Sequence, residues 1–284
     1  MVSLNSINKN PVFLIAKKEI LDNIRNFWII IVTIIFILLT LIVSYFGSIF
    51  STGWHDLGLT ISSMMSFVTL LIPILALMLG YATIIGEIER GSMSSLLSLP
   101  LNREEIVTGK FLGLGGVLSL SILLGFGCAG VVIGILVPNV NYGEYLIFIA
   151  STILLGLVYL SVSIFFSTVF KKRSTALGGA IFLWFFFNMI LPLVLIGVAV
   201  AGKALPDIMK GNIPDWYYTL ELINPTSVYS TLVSLNVAPV SPSRNMIPLK
   251  YPSFYSSGLM VGILLTWIIV FLLLTFLRFR RIDI

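Results

Sequence analysis

Residues 86–92, GEIERGS, set two glycines five positions apart just ahead of a serine, the glycine spacing of a phosphate-cradling loop. Such a loop needs a lysine to reach the phosphates and a strand leading into it. Here Arg90 precedes the second glycine, no lysine follows, and the turn leaves an apolar run. No HExxH, GxSxG or EF-hand pattern occurs, and no ligand-type side chains cluster. The lone histidine, His55, stands beside Asp56 and reads as a solvated side chain. The one cysteine, Cys128, allows neither an intrachain disulfide nor a thiolate metal cluster. No catalytic, cofactor-binding or metal residue is expected, and the chain is not expected to be an enzyme.

What remains chemically distinctive is charge. Glu87, Glu89, Arg90, Arg103, Glu104, Glu105 and Lys110 fall within 86–110, seven of the 29 charges in the whole chain. Within this stretch Ser92 suits the cap of a short helix running to about Leu99, where Pro100 disfavours helix in the residue before it. Asn102 and Glu105 have the spacing of a capping box, and Glu104 and Glu105 occupy a first turn where the helix dipole favours them. The expected order is helix, break, helix, with Leu96, Leu97 and Leu99 seeking headgroups, the bundle or a groove on a partner.

The elements that hold this stretch are hydrophobic. With 58% hydrophobic and 10% charged residues and a mean hydropathy of +1.06, the composition is that of a membrane protein. Six charge-free runs exceed the roughly 20 residues a span requires. Spans are expected near 28–50, 62–85, 112–136, 146–169, 176–200 and 256–277. A seventh run, 222–243, contains Pro225, Pro239 and Pro242 and many hydroxyl residues, so it reads as a re-entrant or interfacial helix. No cleavable signal peptide is expected, because the first apolar run begins late and is too long.

Thirteen of the 17 basic residues fall on one side of this arrangement and four (Lys203, Lys210, Arg244 and Lys250) on the other. The majority side is cytoplasmic by the positive-inside rule, which puts both termini inside a plasma or inner membrane. The net charge of +5 is therefore an orientation signal and not a nucleic-acid footprint.

In 11–27, Phe13, Ala16, Ile20, Ile24 and Phe27 recur at helical spacing, while Lys17, Lys18, Asp22 and Arg25 fall largely on other faces. A basic amphipathic helix running into a span would lie in the headgroup layer; a plain polar flank is the alternative. Gly109, Gly113, Gly116, Gly127, Gly130 and Gly134 line one side of the third span, for packing within the chain or for a dimer seam. No ionisable residue occupies the middle of a span, which disfavours ion-coupled transport. Asn188 and Pro192 suggest a kink in the fifth span. In the outer segment, Trp216, Tyr217 and Tyr218 suit an aromatic belt, and Leu220, Ile223, Val228, Leu232 and Leu235 an apolar face at the wet edge.

Glu89-Arg90-Gly91-Ser92, Leu96-Leu97, Pro100, Arg103 and Lys110 together resemble the loop pattern of type-2 ABC transporter permeases. The segment 17–28 resembles the connecting, or elbow, helix of that family. Ser44-Tyr45-Phe46-Gly47, Leu79-Gly80-Tyr81, 109–113, Asn224-Pro225 through Tyr229, and Phe279-Arg280-Arg281 are similar to the NosY-like branch, the permease of nitrous-oxide-reductase maturation. The likeness covers most of the chain and thins over 203–250.

That resemblance implies an all-α membrane protein of six transmembrane helices, with an elbow helix, a cytoplasmic coupling helix and an outer re-entrant or interfacial helix. It implies one permease domain over 1–284: elbow at 11–27, spans one to five over 28–200 with the coupling helix at about 91–100, an outer segment at 201–255, and the sixth span at 256–277. The chain would be the permease subunit of an ATP-driven exporter. A cytoplasmic ATPase subunit, holding ATP and Mg on its own side, would seat Gly91, Ser92, Met93, Leu96, Leu97 and Pro100, with Glu89, Arg90 and Arg103 orienting the contact. Phe13, Lys17, Lys18, Ile20, Ile24, Arg25 and Phe27 would form the elbow. A second permease copy, membrane lipid and an extracytoplasmic protein are further implied partners. The alternative is a non-transporting assembly factor that passes ATPase strokes to that outer protein. Cargo is left open among copper or sulfur species, lipid, peptide and drug.

Overall fold

A computed structural model describes residues 11–24, 57–98, 100–136, 141–209, 212–237 and 251–282, with single helical positions at 34, 37–39 and 41–42. Every long element among these is helical. In chain order they are α1 (Pro11–Ile24), α2 (Leu57–Gly80), α3 (Ile85–Glu89), α4 (Ser92–Leu97), α5 (Arg103–Leu136) and α6 (Tyr142–Val169). There follow α7 (Arg173–Phe185), a π-turn (Phe186–Ile190), α8 (Leu191–Ala201), α9 (Leu205–Met209), α10 (Asp215–Glu221), α11 (Pro225–Asn236) and α12 (Ser257–Phe279).

Five stretches among the described residues are long and apolar enough to cross a bilayer: Thr60–Glu89, Arg103–Val132, Tyr142–Val169, Arg173–Ala201 and Ser257–Phe279. They match the second to sixth expected spans. The expected first span, 28–50, lies outside the described residues apart from the isolated positions above.

The central helix is α6, which packs against α2, α5, α7, α11 and α12. Its burial is achieved with small polar residues: Ser151, Thr152, Ser161, Ser163, Ser167 and Thr168 are all buried. Several of their hydroxyls bond back to their own helix, as Thr152 does to the Phe148 carbonyl at 2.8 Å and Ser161 to Val158 at 2.7 Å. Others bind the neighbour. Ser163 donates to the Leu77 carbonyl of α2 at 2.8 Å, beside Gly80, where a Cβ would lie 2.7 Å from that of Ser163. Small residues let the backbones approach this closely, and packing of that kind drives helix association in lipid.

The glycines of α5 divide between two neighbours. A Cβ at Gly109 would sit 2.6 Å from Ile15 Cβ, and one at Gly113 2.6 Å from Glu19 Cβ and 2.8 Å from the Ala16 carbonyl. These two glycines, with Gly116 against Ile20, form the seat of α1. Gly130 and Gly134 instead receive the rings of Tyr145 and Tyr142 from α6. Among the described residues nothing comes within 4 Å of a Cβ at Gly127. The ridge read from the sequence thus packs within the chain at five of its six positions.

In α1 itself the buried side chains are Ile15 and Ala16, while Phe13, Leu14 and Leu21 are exposed apolar residues. The expected single apolar stripe is therefore two: Ala16 and Ile20 face α5, whereas Phe13 faces outward. Arg25 and Phe27 lie outside the described residues.

Where a kink is expected, the fifth span carries a π-turn. Leu191 N–H bonds back to the Phe186 carbonyl, and Asn188 Nδ2 donates to Trp184 O at 2.9 Å. The next donor in that register belongs to Pro192, which has none. Asn224 Nδ2 takes its place and donates to the Phe187 carbonyl at 2.8 Å.

Asn224 also caps α11, accepting from Thr226 N–H at 2.9 Å, with Pro225 at the first helical position. From there α11 runs antiparallel to α6: Thr226 pairs with Tyr159 at 2.8 Å and Tyr229 with Thr152 at 3.2 Å. At 1.5 Å per residue, Tyr159 stands roughly 25 Å from the start of α6, so α11 dips well into the bundle. This corrects the expected wet-edge face. Val228 and Leu232 are buried against neighbouring helices, and only Leu220 and Ile223 of that set are exposed. Pro239 and Pro242 lie outside the described residues.

Candidate functional site

The charged stretch 86–110 forms the end of the bundle where α2, α5, α6, α7 and α12 converge. After Gly80 the chain turns and restarts as α3, whose first amides are held from α6: Ser167 Oγ accepts from both Ile84 N–H and Ile85 N–H at 3.0 Å. Gly91 follows with φ of +72°, a left-handed conformation that costs glycine little, and it is the N-cap of α4. Ser92, expected as the cap, is instead the first helical residue, its hydroxyl donating to the Glu87 carbonyl at 3.3 Å. The helix ends at Leu97, short of the expected Leu99, which lies outside the described residues.

The side chains of α4 separate by face. Met93 is fully buried, and Leu96 and Leu97 are half-buried and packed on the core. Outward stand Glu89, Arg90, Gly91, Ser92, Ser94, Ser95, Ser98 and Pro100. The outer face of the turn is thus small and polar. Its own leucines are occupied beneath it.

Beyond Pro100, α5 opens with one arm of the expected capping box, Glu105 Oε2 accepting from Asn102 N–H at 2.8 Å. Arg103 turns away from α4 to the end of α12, where Nη1 donates to the carbonyls of Phe279 at 2.5 Å, Ile282 at 2.9 Å and Arg280 at 3.0 Å. Glu104 pairs with Arg280 beside it. On the other flank, Arg173 at the start of α7 holds Glu89 twice, through Nε to Oε2 at 2.6 Å and backbone N–H to Oε1 at 3.0 Å. Of the basic turn 171–173, Arg173 serves this contact while Lys171 and Lys172 are exposed. Arg90 Nε bonds the Gly86 carbonyl at 2.9 Å.

Beneath the turn lies a buried ion cluster. Lys110, third turn of α5 and 2% exposed, places its ammonium 2.7 Å from Glu19 Oε1 of α1 and 2.7 Å from Glu87 Oε1 of α3. Lys18 approaches Glu87 at 3.9 Å from the surface. An isolated buried ammonium would be costly, so this one is retained with two carboxylates. The sequence assigned Lys110 to the loop pattern and gave no role to Glu19. The available signal was a lysine alone at the mouth of a span, one turn before Gly113.

The arrangement is a polar outward face, braced by charge pairs to α1, α5, α7 and α12. Among the described residues no group of acidic, histidine and cysteine side chains is disposed to hold a metal ion.

Comparison with known proteins agrees with this architecture. The family model described as ABC-2 family transporter protein matches residues 13–284. A protein named probable ABC transporter permease protein NosY from Stutzerimonas stutzeri is 34% identical over 280 residues, 96% of this chain and 99% of the relative. Its namesake from Pseudomonas aeruginosa is 34% identical over 276 residues, 95% and 98% of the two chains. Apolar helices long enough to cross a bilayer, a charged turn between two of them and a match over nearly the whole length lead to one assignment: the chain belongs to the ABC-2 transporter family, as a multi-pass membrane permease subunit whose family implies a cytoplasmic ATPase partner.

Proposed function

We propose that this chain is the membrane-spanning half of an ATP-driven exporter, acting as a homodimer, and that α4 is the coupling helix on which the ATPase subunit rests. The carrying observation is the division of α4 into a packed apolar side and an outward face of Arg90, Ser92, Ser94, Ser95 and Ser98. ATP and Mg bind on the partner subunit. Both termini and the turn 86–110 face the cytoplasm of a plasma or inner membrane, in keeping with the basic residues concentrated there. α1 is the elbow helix, with Lys17, Lys18 and Phe13 against lipid headgroups.

Closure of two ATPase subunits on nucleotide is a rigid-body movement. A helix seated in each carries it into α3 and α5, to which α4 is bound by short turns, and so biases the spans between inward- and outward-facing arrangements. The energy available to that bias is the difference in ATPase affinity for the two arrangements.

The test uses the outward face. Leu96→Asp or Leu97→Asp would also disturb the packing of this chain, so Ser95→Trp and Ser94→Trp are the cleaner probes. With ATPase subunit and permease co-expressed, these variants are expected to reach the membrane normally and to lose both co-purification of the ATPase and ATP-driven efflux. Undiminished co-purification and efflux would remove α4 from the contact.

A further inference from the structure

We infer that Lys110 is a positioning residue: its buried ammonium fastens α1 and α3 to α5, so that the amphipathic surface helix and the turn carrying α4 move as one body with the third span. The consequence for coupling rests on the function proposed above; the joint itself does not.

The cluster is assembled from three separate elements. Glu19 reaches Lys110 because Gly113, one turn along α5, has no side chain: a Cβ there would stand 2.6 Å from Glu19 Cβ. Glu87 reaches it from α3, whose amides Ser167 fixes. An ammonium has three donors, and two are spent on one oxygen from each carboxylate. Glu87 Oε2 is buried and has no hydrogen-bond partner among the described residues. Arg90 and Arg173 are committed elsewhere, both bonding the Gly86 carbonyl, while Lys18 of α1 approaches Glu87 only at 3.9 Å from the exposed edge. Among the described residues Lys110 is therefore the cation hydrogen-bonded to both α1 and α3. Without its charge, two carboxylates would face each other across the seam between α1 and α3, and like charges in one buried site repel.

Removing one partner of a buried ionic group is far more damaging than replacing the whole group by neutral residues. That asymmetry gives a test which simple loss of packing would not pass. In the full-length chain in lipid nanodiscs, with Cys128→Ala, spin labels at Lys17 and Leu112 report α1 against α5, and labels at Ser95 and Leu112 report α4 against α5. All three labelled positions are exposed.

Wild type should give one narrow distance for each pair. Lys110→Met, which keeps the length of the stem, should add a second, longer distance to both. Glu19→Gln should broaden the Lys17 pair alone and Glu87→Gln the Ser95 pair alone. The neutral triple variant Lys110→Met, Glu19→Gln, Glu87→Gln should return both towards the wild-type distances. The inference is overturned if Lys110→Met leaves both distributions narrow, or if the two glutamine variants broaden both pairs alike. Should Lys110→Met not accumulate, the two glutamine variants still decide it. ATP turnover of the complex is read separately: distances that respond as stated with unchanged coupling would count against the proposed function and leave the joint standing.

Discussion

Arg103 and Phe279 are joined twice: the guanidinium lies 5.5 Å from the centre of the Phe279 ring and donates to the Phe279 backbone carbonyl at 2.5 Å. With two further carbonyls on the same nitrogen, Arg103 closes the end of α12, where the last carbonyls of a helix lack partners. Arg103→Ala should therefore fray 276–282 and destabilise the protein by about 1.5–3 kcal/mol, the range for hydrogen bonds to a charged group. Hydrogen exchange over those residues, with the thermal midpoint in detergent, checks it. Unchanged exchange there would refute the cap. Arg103→Lys should recover little, because a single ammonium does not reproduce the planar fork.

Two glycines on one helix should respond oppositely. Gly113→Ala drives a methyl into Glu19 and the Ala16 carbonyl, and overpacking of that kind costs about 1–3 kcal/mol. Gly127→Ala meets none of the described residues within 4 Å and should stabilise the helix by roughly 0.5–1 kcal/mol. Thermal midpoints of the two variants side by side decide the matter, and equal losses would mean that α1 is not seated on Gly113.

Tyr159 and Thr226 hold the deep end of α11 to α6. Tyr159→Phe or Thr226→Val alone leaves a buried hydroxyl without its partner, at about 1–3 kcal/mol. The double variant should cost less than the sum, with a coupling of at least about 0.5 kcal/mol in a double-mutant cycle. Strict additivity would show that the pair does not interact in the folded protein.

Glu221, on α10 outside the candidate spans, is raised above its ordinary value of 4.5 by burial. The folded chain then holds this proton more tightly than the unfolded one. Stability should fall as pH rises from about that ordinary value and level off above the raised one. Glu221→Gln should flatten that part of the thermal midpoint profile. An unaltered slope would assign it to another group.

Much of the architecture could be read from where charges are absent. Positions 111–143 and 145–170 contain none, and α5 and α6 occupy them. Hydropathy reports length and burial in lipid, and it does so along the chain. The charged turn 86–110 was legible only in outline: glycine, serine, proline and charge marked its place. Which way each side chain points depends on contacts from far along the sequence. Arg103 read as a charge orienting the loop, because the end of α12 that it holds is 176 positions away. Ser92 read as a cap because hydroxyl preference outweighs glycine in sequence, while the left-handed turn at Gly91 decides it in space. The ion cluster escaped for the same reason, since Glu19 lies 91 positions from Lys110.

The carbonyl of Phe187 gives chain order a meaning of its own. Its donor, Asn224, is made 37 residues later. A fifth span formed before Asn224 docks therefore holds a backbone oxygen that this later segment satisfies. Threading that span and finishing it are separate events, and the turn between α10 and α11, where Asn224 stands, completes the second.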